Sequence, residues 1–155
     1  MDKQSFERLY LDLLPGLYRL AQGILRQPAD AQDAVQQAAI KAWQALDRLP
    51  PGGERAYFAR IVINECRNIQ RQRMRTLPLA EVPERISVPL DTALRSAIDA
   101  LPEELRLPLL LKYMEGYTER EAAAALDISV PALKSRLYKA RRRLARELEE
   151  EVELE

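Results

Sequence analysis

Six hydrogen-bond donors crowd one short stretch near the C-terminus: Lys134, Ser135, Tyr138, Lys139, Arg142 and Arg143. Their ammonium, guanidinium and hydroxyl groups suit phosphate oxygens and the acceptor edges of bases, and Tyr138 can touch a thymine methyl or the backbone. Such donors need a helix to hold them on one side. Val130, Leu133, Leu137, Ala140 and Leu144 recur at three- and four-residue spacing and predict that helix, with its buried face turned away from the donors. Upstream, Thr118 with Glu121 three residues later reads as a capping box opening a preceding helix. The small residues Ala122 to Ala125 would let another helix approach closely. Asp127 sits where the chain must turn, and Asp tolerates left-handed backbone. Ser129 then caps the second helix, with Pro131 in its first turn, where a missing N–H is harmless. A helix, a tight turn and a basic second helix make a helix-turn-helix, which reads double-stranded DNA through the major groove. A merely solvated basic helix would need neither the cap nor the turn.

A second basic stripe lies in the first half. Arg60, Asn64, Arg67, Arg71 and Arg75 follow one another at helical spacing over a helix expected from about 55 to 74. Phe58, Ile61, Val62, Cys66 and Ile69 form its apolar face, and Glu54 and Glu65 are too few to neutralise so long a stripe. By itself the stripe fits a solvated face and a nucleic-acid contact equally well. Two helices should precede it. The first carries Phe6, Leu9, Tyr10, Leu13, Leu14, Leu17 and Leu20, with Pro15 and Gly16 expected to bend it. The second runs from about Pro28 to Leu46, with Val35, Ala38, Ala39, Ala42, Trp43 and Leu46 inward and Asp33, Gln36, Gln37 and Lys41 outward. The stretch 47–54 is a loop by composition.

These elements predict an all-α fold in two small helical domains. The first spans residues 1–75, a Pro-rich linker covers 76–91, and the second spans 92–155 and ends in an acidic tail. The net charge of zero hides a division: residues 1–75 and 92–146 each carry an excess of four positive charges, and 147–155 carry six Glu. Basic charge is local, as a nucleic-acid binder requires. Glu near a helix C-terminus opposes the macrodipole, so the tail is expected to fray; a sharper reading has it compete with DNA for the recognition helix. The chain has no His, which removes the commonest general base and metal ligand together, and its one Cys excludes an internal disulfide. With no phosphate-cradling loop and no nucleophile motif, neither an enzyme nor a cofactor is expected. The polar N-terminus and the lack of a long apolar run point to a cytoplasmic protein without membrane insertion.

Nearly the whole chain resembles the extracytoplasmic-function (ECF) group of the sigma-70 family. Leu101-Pro-Glu-Glu-Leu-Arg106, Leu109 to Thr118, Glu121, Leu126, Ile128-Ser-Val130 and Leu133 to Arg141 are similar to the family's region 4. That resemblance implies promoter −35 contacts from Lys134, Ser135, Arg136, Tyr138, Lys139 and Arg142, with the polymerase flap nearby. Asp30-Ala-Gln-Asp33, Val35-Gln36 and Trp43 resemble region 2.2, which implies docking on the clamp helices of core RNA polymerase through Asp30, Asp33, Gln36 and Gln37. Tyr57 to Ile61, Asn64, Asn68 and Arg71-Gln-Arg73 resemble regions 2.3 and 2.4. They imply −10 contacts and DNA melting by Arg48, Arg55, Arg60, Asn64, Arg67, Asn68 and Arg71. An anti-sigma partner is implied as well. Gln32, Gln37, Ala39, Tyr57, Asn68, Ala122 and Pro131-Ala132 depart from the family pattern, so promoter preference does not transfer from relatives.

Two rivals remain at the level of sequence. One is a free-standing helix-turn-helix regulator, which would not need the stripe of the third helix. The other is a sigma-like decoy that binds polymerase without opening DNA, which the altered docking residues would suit.

Overall fold

The computed structural model describes residues 1–76 and 92–154; of the stretch 76–91 read as a linker, Thr76 ends a helix and 77–91 lie outside the described residues. Among the described residues the ordered elements are all helical. Contacts divide the chain into one unit carrying the first three helices, with residues 124–127 assigned to it, and another carrying the remainder.

The first unit begins with α1 (Lys3–Ile24), whose Asp2 cap accepts a 2.8 Å hydrogen bond from the Ser5 N–H. Pro15 lies inside α1 without ending it. Helix α2 (Pro28–Gln44) opens on proline, where the ring fits the first turn. Its buried residues are almost all small (Ala31, Ala34, Ala38 and Ala42 with Val35), so α1 and α3 both pack closely against it. A 3-10 turn (Leu46–Arg48) and a tight turn with Gly52 at φ +78° lead into α3 (Glu54–Thr76). Glu54 accepts the Gly52 N–H at 3.0 Å and so holds that turn. Phe58 of α3 is fully buried and stacks on Phe6 and Tyr10 of α1, while Phe6 meets the edge of Trp43 at 5.3 Å. This aromatic cluster fixes how the three helices sit. Trp43, expected to be inward, keeps 41% of its surface exposed.

The second unit comprises α4 (Thr92–Ala100), α5 (Glu103–Leu109), a π turn (Leu110–Met114), α6 (Glu119–Leu126) as far as Ala123, and α7 (Val130–Leu154). Helices α4 and α5 pack on α7, with Leu101, Leu107, Leu111, Leu133 and Leu137 at the centre, each nearly or fully buried. The Arg106 side chain is buried too and donates to the Leu101 carbonyl at 3.1 Å, pinning the α4–α5 corner. The wide turn after Pro108 closes with a bond from the Glu115 N–H to the Leu110 carbonyl, and Gly116, at φ +71°, ends it. Helix α7 extends to Leu154, and the Glu and Leu residues of its last turns are strong helix formers.

Candidate nucleic-acid interface

The turn between α6 and α7 is built as the local sequence requires. The Thr118 N–H donates to Glu121 at 3.1 Å, and the Glu121 N–H donates back to the Thr118 hydroxyl at 3.0 Å, completing the capping box. Asp127 takes a left-handed conformation at φ +57°. Ser129 accepts the Ala132 N–H at 3.2 Å, and Pro131 stands in the first turn of α7.

Leu133, Leu137 and Ala140 are fully buried on one side of α7, with Val130 and Leu144 at its margins. Lys134, Ser135, Tyr138, Lys139, Arg142 and Arg143 are all exposed on the other. Tyr138, 59% exposed, has the Arg142 guanidinium 5.7 Å from its ring centre, so an aromatic plane and a cation are presented together. Arg136 is set apart. It is half-buried and its guanidinium lies 3.5 Å from Glu104 of α5. Glu147 lies eight residues beyond Lys139 on the same helix, roughly 12 Å along its axis.

Sequence reasoning passed over a neighbouring cluster. Exposed Tyr113 on the π turn accepts a 2.7 Å hydrogen bond from Arg141 of α7, and the charges of Lys112 and Arg141 lie 5.5 and 6.0 Å from its ring centre. Glu119, in the first turn of α6, binds Lys112 at 2.8 Å and stands 3.7 Å from Lys134. The Lys112 hydrogen bond, with the charges of Lys112, Lys134 and Arg141, holds the Glu119 carboxyl below the usual glutamate range. The spacing of Arg141, three residues after Tyr138 and seven after Lys134, was the available signal.

In the first unit, Arg60, Asn64, Arg67 and Arg71 line the exposed side of α3, and Arg71 donates to the half-exposed Asn68. Glu65, which interrupts this run in sequence, does not interrupt it in space. Its carboxylate is buried and paired with Lys41 of α2. Arg55 is separate from the stripe, since five residues place it roughly 140° around α3 from Arg60. It belongs instead to the N-terminal end of α3, near the turn that carries the exposed Arg48. The four α2 residues read as polymerase contacts also divide. Asp30 is held by Arg73 at 2.6 Å and largely buried. Asp33 and Gln37 line a polar groove of about 660 Å³ together with Asn68, Arg71 and Arg75. Gln36 lines a more apolar groove of about 490 Å³ on the other side, with Tyr10, Leu14 and Tyr18 of α1. Among the described residues no helix is long and apolar enough to cross a membrane.

Comparison with known proteins agrees with both units. Residues 9–76 match Sigma-70 region 2 and residues 91–144 match Sigma-70 region 4. The ECF RNA polymerase sigma-E factor of Escherichia coli K12 is 32% identical over 136 residues, covering 72% of this chain and 70% of its own. The RNA polymerase sigma-H factor of Pseudomonas aeruginosa PAO1 is 27% identical over 172 residues, covering 96% and 88%. Among solved structures, the sigma factor RpoE of Bartonella quintana, in complex with the anti-sigma factor NepR, superposes with a TM-score of 0.80 at 26% identity, covering 94% of this chain and 98% of that one. A free-standing regulator would need only the second of the two matched regions, and the chain has both. It belongs to the ECF sigma factors of the sigma-70 family, the subunits that direct RNA polymerase to promoters and start transcription.

Proposed function

We propose that α7 enters the major groove of the −35 element with Lys134, Ser135, Tyr138, Lys139 and Arg142 as its contacts, and that α3 grips the −10 region through Arg60, Asn64, Arg67, Asn68 and Arg71. The observation that carries this reading is the complete sorting of α7: fully buried Leu133, Leu137 and Ala140 behind an unbroken exposed row of donors. Arg136, engaged by Glu104, braces α7 on α5 and contributes less to base reading than the sequence resemblance implies. Arg48 and Arg55 act from the end of α3 that carries the turn, on a different stretch of DNA from the stripe. Asp33, Gln36 and Gln37 offer the docking ridge for the polymerase clamp, and Asp30 orients that ridge through Arg73. The Bartonella relative is held by an anti-sigma factor, and we assign a partner of the same kind to this chain.

Run-off transcription with purified core polymerase and a pool of genomic upstream fragments tests the reading and supplies the promoter. Discrete transcripts whose −35 sequence is required for binding support it. Stable polymerase binding without any transcript would favour a decoy, and transcripts indifferent to the −35 sequence would remove α7 from its assigned role.

A further inference from the structure

We propose that Tyr113 and Arg141 together bind one phosphate of the DNA backbone beside the −35 element, a contact that fixes the register of α7 in the groove without reading sequence. The inference rests on the assignment of α7 to that element and adds a residue from outside the helix-turn-helix. Its basis is a donor pair assembled from two elements 28 positions apart. Arg141 of α7 donates to the Tyr113 hydroxyl on the π turn at 2.7 Å. That oxygen accepts from the guanidinium, so its own proton is directed elsewhere, and Tyr113 is 53% exposed. The exposed Arg141 keeps the other N–H groups of its planar fork, whose geometry matches phosphate oxygens. A hydroxyl proton and a guanidinium are thus held side by side before any ligand arrives. Such a pair suits an anion better than an apolar partner.

The position of Arg141 on α7 turns the pair toward DNA. It follows Lys134 by seven residues and Tyr138 by three, so it lies roughly 20° and 60° from them around the helix. It also stands roughly 10 Å from Lys134 along the axis. The major groove is about 12 Å wide, so a helix that reads bases with Lys134 brings Arg141 to the groove edge, where the phosphates run. Glu119 is the acid whose charge reaches Arg141, and Lys112 neutralises it at 2.8 Å. The guanidinium charge is left for the phosphate. Backbone contacts of this kind orient a protein on the duplex and carry no sequence information themselves.

The test uses holoenzyme carrying wild-type chain, Tyr113→Phe or Arg141→Ala. The probes are a promoter duplex from the transcription assay and a series in which one phosphate at a time around the −35 element is replaced by an uncharged methylphosphonate. Arg141→Ala should lower the slope of log affinity against log salt by about 0.9, the loss of one phosphate contact. Tyr113→Phe keeps the ring and all the charge, so it should weaken promoter binding roughly three- to tenfold with the slope unchanged. At one phosphate, neutralisation should weaken the wild type and leave Arg141→Ala unaffected, while the other phosphates keep their effect in both. The cost of each −35 base substitution should be the same in all three proteins. The proposal would be overturned by a Tyr113→Phe variant that binds like wild type, or by losses in Arg141→Ala that add to those of every methylphosphonate alike, which is the pattern of a merely structural role. Weakened association with core polymerase in Tyr113→Phe would overturn it too and assign the pair to a protein contact. If no methylphosphonate beside the −35 element weakened even the wild type, the assignment of α7 itself would fall, an outcome separable from the others.

Discussion

The two helices proposed to face DNA carry similar numbers of cations and place the acids near them differently. On α7 the cations are steered by acids from other helices: Glu104 draws Arg136 down onto α5, and Glu119 leans on Lys134. On α3 the acid in the middle of the basic run, Glu65, is turned inward to Lys41 and leaves the exposed row of Arg60, Asn64, Arg67 and Arg71 uninterrupted. Reading base edges needs donors held at defined positions, and gripping the backbone of a melted strand needs a continuous charged groove with a few amides to select bases. Asn64 and Asn68 supply such amides within the stripe. Under the proposed roles, the difference separates a helix that discriminates from one that holds.

The comparison is broken most forcefully through the cores. Phe58→Ala should remove about 3–5 kcal/mol from the first unit, since the ring is fully buried and stacks on two aromatics. Leu137→Ala should remove about 2–5 kcal/mol from the second. The sole tryptophan, Trp43, sits beside Phe6 in the first unit and reports on that unit alone. In urea titrations, Phe58→Ala should shift the Trp43 fluorescence midpoint strongly, while Leu137→Ala shifts the far-UV helical signal and leaves Trp43 nearly unmoved. A common shift of both signals would mean that the units unfold as one.

Surface substitutions sharpen the comparison with smaller effects. Lys134→Ala with Lys139→Ala should cost about 1–3 kcal/mol at each lost base contact in −35-dependent holoenzyme binding, with core polymerase association unchanged. Arg67→Ala with Arg71→Ala should act on a different observable. The salt slope of promoter binding should fall by about 1.4–1.8 for two lost phosphate contacts, and permanganate reactivity of the −10 strand should weaken, with −35 discrimination intact. Equal loss of discrimination in the two double variants would erase the distinction between the helices.

What the sequence made legible follows the range of the interactions. The capping box of Thr118 and Glu121, the left-handed Asp127 and the Ser129 cap all act within three residues of themselves, so their spacing carried the whole geometry. The buried stripe of α7 was equally readable, because helical periodicity is local too. The pairings that distinguish the two interfaces were not. Glu104–Arg136, Glu119–Lys134, Asp30–Arg73 and Lys41–Glu65 join residues 15 to 43 positions apart, and nothing in the spacing of charges selects a partner across helices. For the same reason Asp30 and Arg136 read as open contacts when each is engaged by another helix.

The smallest expected effect is a dependence on pH that both units should show for different reasons. In the first unit, the Asp2 carboxyl is held below the usual aspartate range by the Ser5 N–H, so its protonation loosens the start of α1. In the second, Glu119 is held below the glutamate range first by the Lys112 hydrogen bond and then by surrounding cations. A carboxyl whose value is lower in the folded than in the unfolded chain stabilises the fold fully above its unfolded value. That contribution fades as pH falls through the folded one, here from about pH 5 downward. Both groups are exposed and water screens them, so each should shift the melting temperature only slightly. Asp2→Asn should flatten the acid-side decline of the Trp43 signal, and Glu119→Gln that of the helical signal attributed to the second unit. If Glu119→Gln instead declined in parallel with wild type, the carboxylate would not be holding Lys112 in solution. The contrast between the two helices would then lose its clearest member.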